Sequence, residues 1–458
     1  MYFVFLPSLI IIVLSFFKIN RIAMSFVATS VIFPAIYLFF NHMHNDYFIV
    51  DDLNAFVLLV SSIVAVGVSI SMISLPYRLD LDNKQIKRFY LFFGIFFLGL
   101  TLSILANNMG LYWIGLEFAT LSTVYMIKIK YSTFANNESW KYLIVGAIAI
   151  SLILFGIILI YSATKPILHE EAMDFYSLIE NAGAINGYLF EIGFFLVATG
   201  MFIKMGFFPM NLWIADIERS AIYQVGALFS GILESAILLG FFRLSEVEKV
   251  VNNAHLITFT YVYGLLTLFM VSFLIFRAKD YMRLFSLSGI EHMSLIVIFW
   301  VSGGYFAALL HFAAHAFMKP ALFLSTAVLE SHRKYNFRGT LKGIGRTPAL
   351  LISMLLLAII SLPPSPMFFS EIYGFKAMIE SATLSQHFIL MVGVVFFIML
   401  LLSIVFYKFI TIYQESLYEE GQPSHIYRSE ILMLCIFLVA TLTLIFPPVL
   451  QAIEGIMS

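Results

Sequence analysis

Seven titratable side chains lie within or next to long apolar runs of this sequence, where a charge is costly. They are Glu117, Lys204, Glu234, His311, His315, Lys319 and Glu371. A lysine or a carboxylate at mid-bilayer costs about 2.5–3.5 kcal/mol on insertion scales, so such residues are typically paired or functional. Acids and bases spread over several apolar segments can bind and release protons in turn. We therefore predict a proton path and no catalytic site.

The spacing of three of these residues predicts a common helix face. His311, His315 and Lys319 recur at every fourth position, which places them above one another along a helix. Two histidines at this spacing also occur in zinc sites. No third ligand lies near them in the sequence, so we predict no metal.

A purely structural reading competes with the functional one at every position. Each charge could belong to an ion pair that ties two helices together. For Glu234 the two readings stay equally open. The functional reading is favoured for the set as a whole, because the chain has no soluble domain for these groups to serve.

The composition indicates a membrane protein. Hydrophobic residues make up 61% of the 458 residues and charged residues 12%, against about 45–50% and 25% in soluble domains. The net charge of −1 gives no reason to expect nucleic acid as a partner. The one cysteine, Cys435, excludes disulfides and cysteine-held iron–sulfur clusters. We expect one domain in a lipid bilayer, with no cofactor.

Apolar runs predict fourteen transmembrane helices, since a span needs about 20 mostly apolar residues. The runs are continuous and do not alternate in period two, which favours helices over a barrel. The first run lacks a basic leader and is interpreted as a span. The predicted spans are 2–17, 22–40, 53–75, 89–107, 110–127, 142–162, 189–208, 223–243, 256–276, 284–301, 305–329, 348–365, 387–407 and 429–450.

The distribution of Lys and Arg predicts the orientation. If the N-terminus is outside, only Lys165, Arg243 and Lys249 fall in outer loops, and three further lysines lie at membrane depth. The remaining 20 of the 26 Lys and Arg are then on the inner side, as the positive-inside rule requires. We expect both termini on the outer side.

Prolines predict that two spans are broken. Lys204 precedes Pro209 in the seventh span, and Glu371 follows a proline-rich run in the twelfth. Proline frees backbone carbonyls and lets water or side chains enter a span. Interruptions five spans apart predict inverted five-helix repeats covering spans 4–8 and 9–13. The single domain 1–458 would then comprise peripheral spans in 1–88, repeats in 89–243 and 256–407, and a last span at 429–450.

Five motifs, in order between about residues 90 and 375, carry a family resemblance. They are Trp113-Ile-x-x-Glu117, Lys204-Met-Gly-x-x-Pro209 with Trp213-Ile-Ala-Asp216, Ser288-Gly-Ile-Glu291-His292-Met293, His311-x-x-x-His315-Ala-x-x-Lys319-x-x-Leu-Phe323, and Pro363-Pro364-Ser-Pro-Met-Phe-x-Ser-Glu371. The set resembles the proton-conducting, antiporter-like membrane subunits of respiratory complex I, group 4 membrane-bound hydrogenases and Mrp-type cation/proton antiporters. The Ile-Glu-His-Met stretch is most similar to the hydrogenase-type branch, that of hydrogenase-4.

The resemblance implies a fourteen-helix fold and a role for each residue. Glu117 and Lys204 would form the charge pair of a first half-channel, His315 and Lys319 a central relay, and Glu371 the end of a second half-channel. It also implies a proton-translocating subunit in a bacterial- or archaeal-type cell (inner) membrane. Its partners would be other membrane subunits and a peripheral cytoplasmic module that performs the redox chemistry.

Three departures from the family pattern bear on this expectation. Asn211 replaces the usual histidine after the seventh-span lysine, the usual proline is missing around Gln224, and Ser235 stands where many members have a lysine. Three other functions stay open. They are the membrane half of a two-component inorganic-carbon uptake system, a sodium/proton antiporter, and a structural subunit that conducts nothing.

Overall fold

Helices make up most of the chain. The computed structural model describes residues 2–17, 21–45, 47–74, 81–129, 133–185, 187–329, 337, 340–341, 344–383, 388–417 and 427–456. The helices are α1 Leu6–Ser15, α2 Arg21–Thr29, α3 Ile32–Phe40, α4 Asp52–Ser71, α5 Asn83–Leu105, α6 Met109–Ile127, α7 Thr133–Leu168, α8 Phe175–Glu180, α9 Tyr188–Lys204, α10 Leu212–Ser220, α11 Tyr223–Leu228, α12 Glu234–Phe276, α13 Tyr281–Val301, α14 Tyr305–Leu329, α15 Arg346–Ala358, α16 Pro366–Thr383, α17 Phe388–Leu417, α18 Arg428–Thr443 and α19 Pro447–Gly455. Two short strands, β1 Met43–His44 and β2 Ile49–Val50, pair antiparallel.

Within the described residues, nine helical stretches are long and apolar enough to cross a membrane. They are Ile22–Phe40, Asp52–Ser71, Asn83–Leu105, Ala135–Glu171, Tyr223–Lys249, His255–Phe276, Tyr281–Val301, Tyr305–Leu329 and Met391–Leu417. The bent pair α18 and α19 would make a tenth if it is counted as one span. The chain is therefore a mostly helical integral membrane protein.

Nine of the fourteen predicted spans coincide with these stretches. The other five (2–17, 110–127, 189–208, 348–365 and 429–450) coincide with helices that are shorter, more polar or bent. For example, α9 has 17 residues and ends at Lys204, and α15 has 13 and ends at Ala358. The count of fourteen remains a prediction.

The first of two compact units comprises Met1–Val66, Leu81–Trp213 and Ile232–Phe259. Its central helix pair is α7 and α9, which approach closely because glycines line the contact. A Cβ on Gly200 would lie 2.5 Å from the carbonyl oxygen of Ala149, a distance that no larger residue tolerates. Lys204 follows one turn later, so this contact sets its position.

Helix α12 is bent within this unit. The rings of Phe241 and Phe259 lie with their centroids 5.4 and 5.7 Å from that of Phe202. A straight helix would separate the two by about 27 Å at 1.5 Å per residue. Helix α12 is therefore strongly bent between Phe241 and Phe259.

The second unit comprises Gly67–Asp80, Ile214–Gly231 and Thr260–Ser458. Helix α14 is at its centre, against α11, α13, α16 and α18. The most apolar stretches of α13 and α14 are completely buried, as expected for helices that are apolar on all sides. The row His311, His315 and Lys319 on α14 therefore lies in the interior of this unit, and the exposed fraction of each residue is 0%.

Candidate functional site

In the first unit, the buried ammonium of Lys204 binds a hydroxyl. Lys204 is 4% exposed, and its Nζ donates a hydrogen bond to Oγ1 of Thr120 on α6. Thr120 in turn donates to the carbonyl of Leu116, at 2.7 Å. The lysine thus has one partner on the helix that carries Glu117.

The predicted Glu117–Lys204 ion pair is not a direct contact in the described part of this structure. No ion pair joins the two among the residues that the structure describes, although Glu117 acts electrostatically on Lys204. Thr120 lies three positions after Glu117, nearly one turn along the same helix. It is Thr120 that accepts the hydrogen bond from Lys204. Glu117 and Lys204 therefore interact through their charges, while the hydroxyl of Thr120 is the hydrogen-bond partner of Lys204.

Aromatic side chains fix the end of α9 at this site. The indole nitrogen of Trp213 donates to the carbonyl of Ile203, at 3.1 Å, in the last turn of the helix, where the backbone N–H of Gly206 also donates to this carbonyl. Trp213 stacks on Tyr142, whose hydroxyl is 2.8 Å from Oγ1 of Thr123. Helix α9 ends at Lys204, as the proline pattern predicted for a break, and Gly206 has a φ of +74°.

Glu234 is also buried in the first unit, at 5% exposure. It is the first residue of α12 and follows a π-helical turn, Phe229–Leu233. Such turns are rare and frequently occur at functional sites. The hydrogen bond between Lys204 and Thr120 does not involve Glu234.

In the second unit, histidines form a hydrogen-bonded row. Nδ1 of His292 is 3.1 Å from Nε2 of His311, and Nδ1 of His311 is 2.8 Å from Oγ of Ser370. The rings of His292 and His315 are 5.7 Å apart. The row thus joins α13, α14 and α16 through the interior of the unit.

Hydrogen-bond accounting assigns the protons in this row. Oγ of Ser370 donates to the carbonyl of Met367, at 2.7 Å, so His311 donates from Nδ1 and accepts at Nε2 from His292. That leaves Nε2 of His292 as an acceptor, and within the described chain it has no hydrogen-bond partner. Both ring nitrogens of His315 are buried without one as well. These imidazoles have unused capacity to bind protons.

Lys319 lies beside this row. Its Nζ donates to the carbonyl of Phe285 on α13. A Cβ on Gly289 would be 3.8 Å from both Nζ of Lys319 and Nε2 of His315. Because glycine has no Cβ, no side chain of residue 289 fills the space next to Lys319 and His315.

Glu371 accepts a hydrogen bond from Ser361, a residue in the break between α15 and α16. Oγ of Ser361 donates to Oε1 of Glu371. Ser361 has a φ of +58°, a left-handed conformation that costs energy for a residue with a side chain. In the break between α15 and α16, a residue with a strained backbone thus binds Glu371, the predicted end of the second half-channel.

A cavity of about 280 Å³ connects Glu371 to the histidine row. It is lined by Ser288, Glu291, His292, Ser361 and Glu371, together with apolar side chains. Several waters fit in this volume, and the polar lining offers them partners. Water can therefore link a carboxylate to the end of the row.

Sequence reasoning missed two carboxylates that belong to this site. Glu291 is 2% exposed, its Oε2 is without a hydrogen-bond partner among the residues described, and its charge interacts with Glu371 and Lys319. Glu218 on α10 is 2% exposed, hydrogen-bonds to Ser286 and interacts with the charge of Lys319.

A signal for Glu291 was present in the sequence. It lies seven residues into the predicted span 284–301, as Glu117 lies seven residues into span 110–127. Glu218 had no such signal, because α10 is a short amphipathic helix outside the predicted spans. An ion pair of 3.3 Å between Arg219 and Asp280 ties that helix to the start of α13 and so places Glu218 near Ser286.

The family departures are buried as well. Asn211 is 4% exposed, and its Nδ2 has no hydrogen-bond partner in the described part of the first unit. Gln224 donates to Oγ of Ser71, at 3.1 Å, within the second unit. Ser235 is 1% exposed. In the ranges that the structure describes, no three His, Cys, Asp or Glu side chains cluster in a way that could hold a metal ion.

Comparison with known proteins identifies the family. The model of the family described as "NADH:quinone oxidoreductase/Mrp antiporter, TM" matches residues 106–417, more than half of the chain. The chain belongs to this family. The family resemblance inferred from the motifs is thereby confirmed.

Individual relatives agree with this assignment. A hydrogenase-4 component F homolog from Methylacidiphilum infernorum is 30% identical over 342 residues, covering 71% of each chain. A chain of the archaeal membrane-bound sulfane sulfur reductase has the same fold, with a TM-score of 0.82 at 17% identity and coverage of 99% of this chain and 95% of that one. A chain of respiratory complex I from Thermus thermophilus gives 0.81 at 15% identity, covering 99% and 98%.

Proposed function

We propose that this chain is the proton-translocating membrane subunit of a multi-subunit complex of the respiratory or hydrogenase type, similar to NADH-quinone oxidoreductase. The observation that carries the proposal is the buried row His292–His311–Ser370, with Lys319 and His315 beside it. A core that served only stability would have no use for so many titratable groups in its interior.

The row can pass protons because each imidazole has two exchangeable positions. When Nε2 of His292 binds a proton, its Nδ1 proton can move to Nε2 of His311. The Nδ1 proton of His311 then moves to Oγ of Ser370, whose own proton leaves as the hydroxyl turns. Imidazole is suited to this role because each neutral ring carries one N–H donor and one nitrogen acceptor.

Lys319 and the carboxylates supply the ends of this path. A lysine in an apolar site loses its proton more readily than a solvated one, and the space at Gly289 separates its ammonium from His315. Glu218 interacts with the charge of Lys319, and Glu371 lines the cavity that also reaches His292. In the first unit, Lys204, Thr120 and Glu117 form the corresponding site, and Glu234 takes part through water.

The same proposal includes fourteen transmembrane helices with inverted repeats over spans 4–8 and 9–13. It is supported by the matching depths of Glu117 and Glu291, five spans apart, and by the helix ends at Lys204 and before Pro366. The distribution of Lys and Arg supports outer termini in a bacterial- or archaeal-type cell (inner) membrane.

The chain itself performs no redox chemistry in this proposal. Electron transfer belongs to a peripheral cytoplasmic module, which drives this and other membrane subunits. Inorganic-carbon uptake is not favoured, because the relatives come from hydrogenase and respiratory complexes. A sodium/proton antiporter is not favoured either, for the same reason.

The test is proton pumping by the complex purified with its partners and identified by mass spectrometry. In vesicles, His315→Asn should reduce pumping severely without disturbing assembly, since both ring nitrogens of His315 lack hydrogen-bond partners within the described residues. His42→Asn, at a side chain that is 46% exposed, is the matched control. Wild-type pumping by His315→Asn, or ion movement that requires sodium, would contradict the proposal.

A further inference from the structure

A second group of titratable residues lies in the first unit, at the opposite end of α9 from Lys204. Glu248 is 0% exposed, and neither carboxylate oxygen has a hydrogen-bond partner among the residues described. Glu191, in the first turn of α9, is the charged residue that acts on it. Oε1 of Glu191 contacts Nδ1 of His255.

The three side chains form a gradient of exposure. Glu248 is fully buried, the side chain of Glu191 is 16% exposed, and that of His255 is 60% exposed. A proton on Glu248 can therefore reach solvent through a half-buried carboxylate and an exposed imidazole. Nothing in this arrangement serves packing, since a buried carboxyl without a partner is costly.

The basic residues nearby are directed elsewhere. Arg243 donates to Asp51 and to Asn54, and Lys249 interacts with the charge of Glu246. Within the described residues no cation pairs with Glu248, so this carboxyl is stable in its buried position only while it holds a proton. Such a group releases its proton when an acceptor or water reaches it.

An aromatic cluster separates this group from Lys204. Glu191 and Lys204 are at opposite ends of α9, about 20 Å apart at 1.5 Å per residue. Between them the ring of Phe202 packs against Phe207, Phe241 and Phe259, with centroids 4.8, 5.4 and 5.7 Å away. Glu248 lies two helical turns beyond Phe241. Protons can cross this barrier only when water enters it.

We propose that Glu248, Glu191 and His255 form the outer proton-exchange site of the first unit, with Glu248 as the buried proton carrier. The site is loaded from Lys204 when the aromatic cluster is wetted, and it exchanges the proton with the outer solution through Glu191 and His255. This inference rests on the proposed function, and it adds an outer end to the path of the first unit.

The test uses the intact complex in oriented vesicles, with a pH-sensitive dye on the outer side. Glu248→Gln keeps the shape of the side chain but cannot titrate, and it should slow outer proton release at least about tenfold, as for loss of a general acid or base. Glu246→Gln, on the same helix, is the matched control and should pump normally. His255→Asn, at an exposed position, should slow release without affecting folding.

Infrared difference spectra after a step in outer pH give an independent readout. The wild type, Glu246→Gln and His255→Asn should show a protonated carboxyl band that Glu248→Gln lacks. An unchanged band and normal release in Glu248→Gln would overturn the inference. If His315→Asn still abolishes pumping in that case, the proposed function stands alone, whereas normal pumping by both variants would remove both proposals.

Discussion

Deprotonation separates a lysine that relays protons from one that only balances charge. Lys319 is buried near His315, and its charge interacts with Glu218, an environment compatible with either role. Arginine keeps the positive charge but cannot give up its proton in a protein. We expect Lys319→Arg to assemble and to lose most proton pumping, and Lys319→Met to block it.

Vesicle pumping and thermal unfolding of the same preparations measure this difference. Lys376→Arg is the control, because Lys376 is a 63% exposed side chain paired with Glu380 at 3.7 Å. Full pumping by Lys319→Arg would show that Lys319 serves as a fixed charge.

The hydroxyl of Thr120 gives a sharper test of the first unit than either charge alone. Glu117→Gln removes a titratable group, and it should reduce coupled pumping. Thr120→Val keeps the shape but removes the acceptor for Lys204, which leaves a buried ammonium without that partner. An unmet hydrogen bond of this kind costs about 1–3 kcal/mol, so this variant should lower both pumping and the melting temperature.

Pumping assays and melting curves on the same complex separate the two effects. Ser162→Ala controls for loss of a hydroxyl, since Ser162 bonds only its own helix at an exposed position. Normal pumping by both Glu117→Gln and Thr120→Val would remove the first-unit site from the path.

Glu234 poses the same question for a carboxylate. Glutamine preserves shape and hydrogen bonding but does not titrate, so Glu234→Gln isolates proton exchange from structure. If Glu234 takes part through water, we expect slower proton flux at unchanged thermal stability. Unchanged flux in a stopped-flow dye assay would leave Glu234 as a structural residue beside its π turn.

The free-energy cost of placing a side chain in lipid decides which site residues can be predicted from the sequence. Charges are costly in lipid, so composition and hydropathy alone identify Glu117, Lys204, Lys319 and Glu371. Hydroxyls cost little, and Thr120 and Ser370 therefore leave no signal, although they mediate the contacts of Lys204 and His311. The sequence did not indicate that Thr120 binds Lys204, because hydropathy does not say which neutral side chains neighbour a buried charge.

At the scale of helices, prolines located both breaks. Helix α9 ends five residues before Pro209, and α16 begins at Pro366, because proline cannot continue the hydrogen-bond ladder. No sequence pattern indicated that Glu218 joins the second unit, since a contact such as Arg219–Asp280 depends on tertiary packing.

The α7–α9 contact yields a prediction about stability. Alanine at Gly200 would bring a Cβ within 2.5 Å of the carbonyl of Ala149, and overpacking of this kind typically costs about 1–3 kcal/mol. We expect Gly200→Ala to lower the melting temperature and to displace Lys204. Gly393→Ala is the matched control, because it is also helical and has nothing within 4 Å of its Cβ.

Removing a helical glycine there should be neutral or stabilising by up to about 1 kcal/mol. Differential scanning fluorimetry of the purified complex compares the two variants. Equal melting temperatures would mean that the helices separate at little cost and that the contact does not fix Lys204.

At the scale of the whole molecule, hydropathy predicted a membrane protein correctly, and nine long apolar stretches coincide with predicted spans. The other five predicted spans do not meet the criteria of length and hydropathy, because their helices are shorter, more polar or bent. Polar residues lower the hydropathy of α6, which carries Glu117, and helix breaks shorten α9 and α15. Polar residues and breaks of the kind that the proposed path needs therefore weaken the hydropathy pattern by which spans are recognised.

Whether α6 crosses the membrane can be decided by the sides on which Lys84 and Glu170 lie. Three predicted spans separate them, which places them on opposite sides. If Met109–Ile127 does not cross, only Asn83–Leu105 and Ala135–Glu171 lie between them, and both residues face the same side.

In a Cys435→Ser background, we expect a membrane-impermeant thiol reagent to label Glu170→Cys in intact cells, because this side chain is 96% exposed. Lys84→Cys, also exposed, should be labelled only after permeabilisation. Labelling of both variants in intact cells would contradict the fourteen-span topology, and the reverse pattern would place both termini inside.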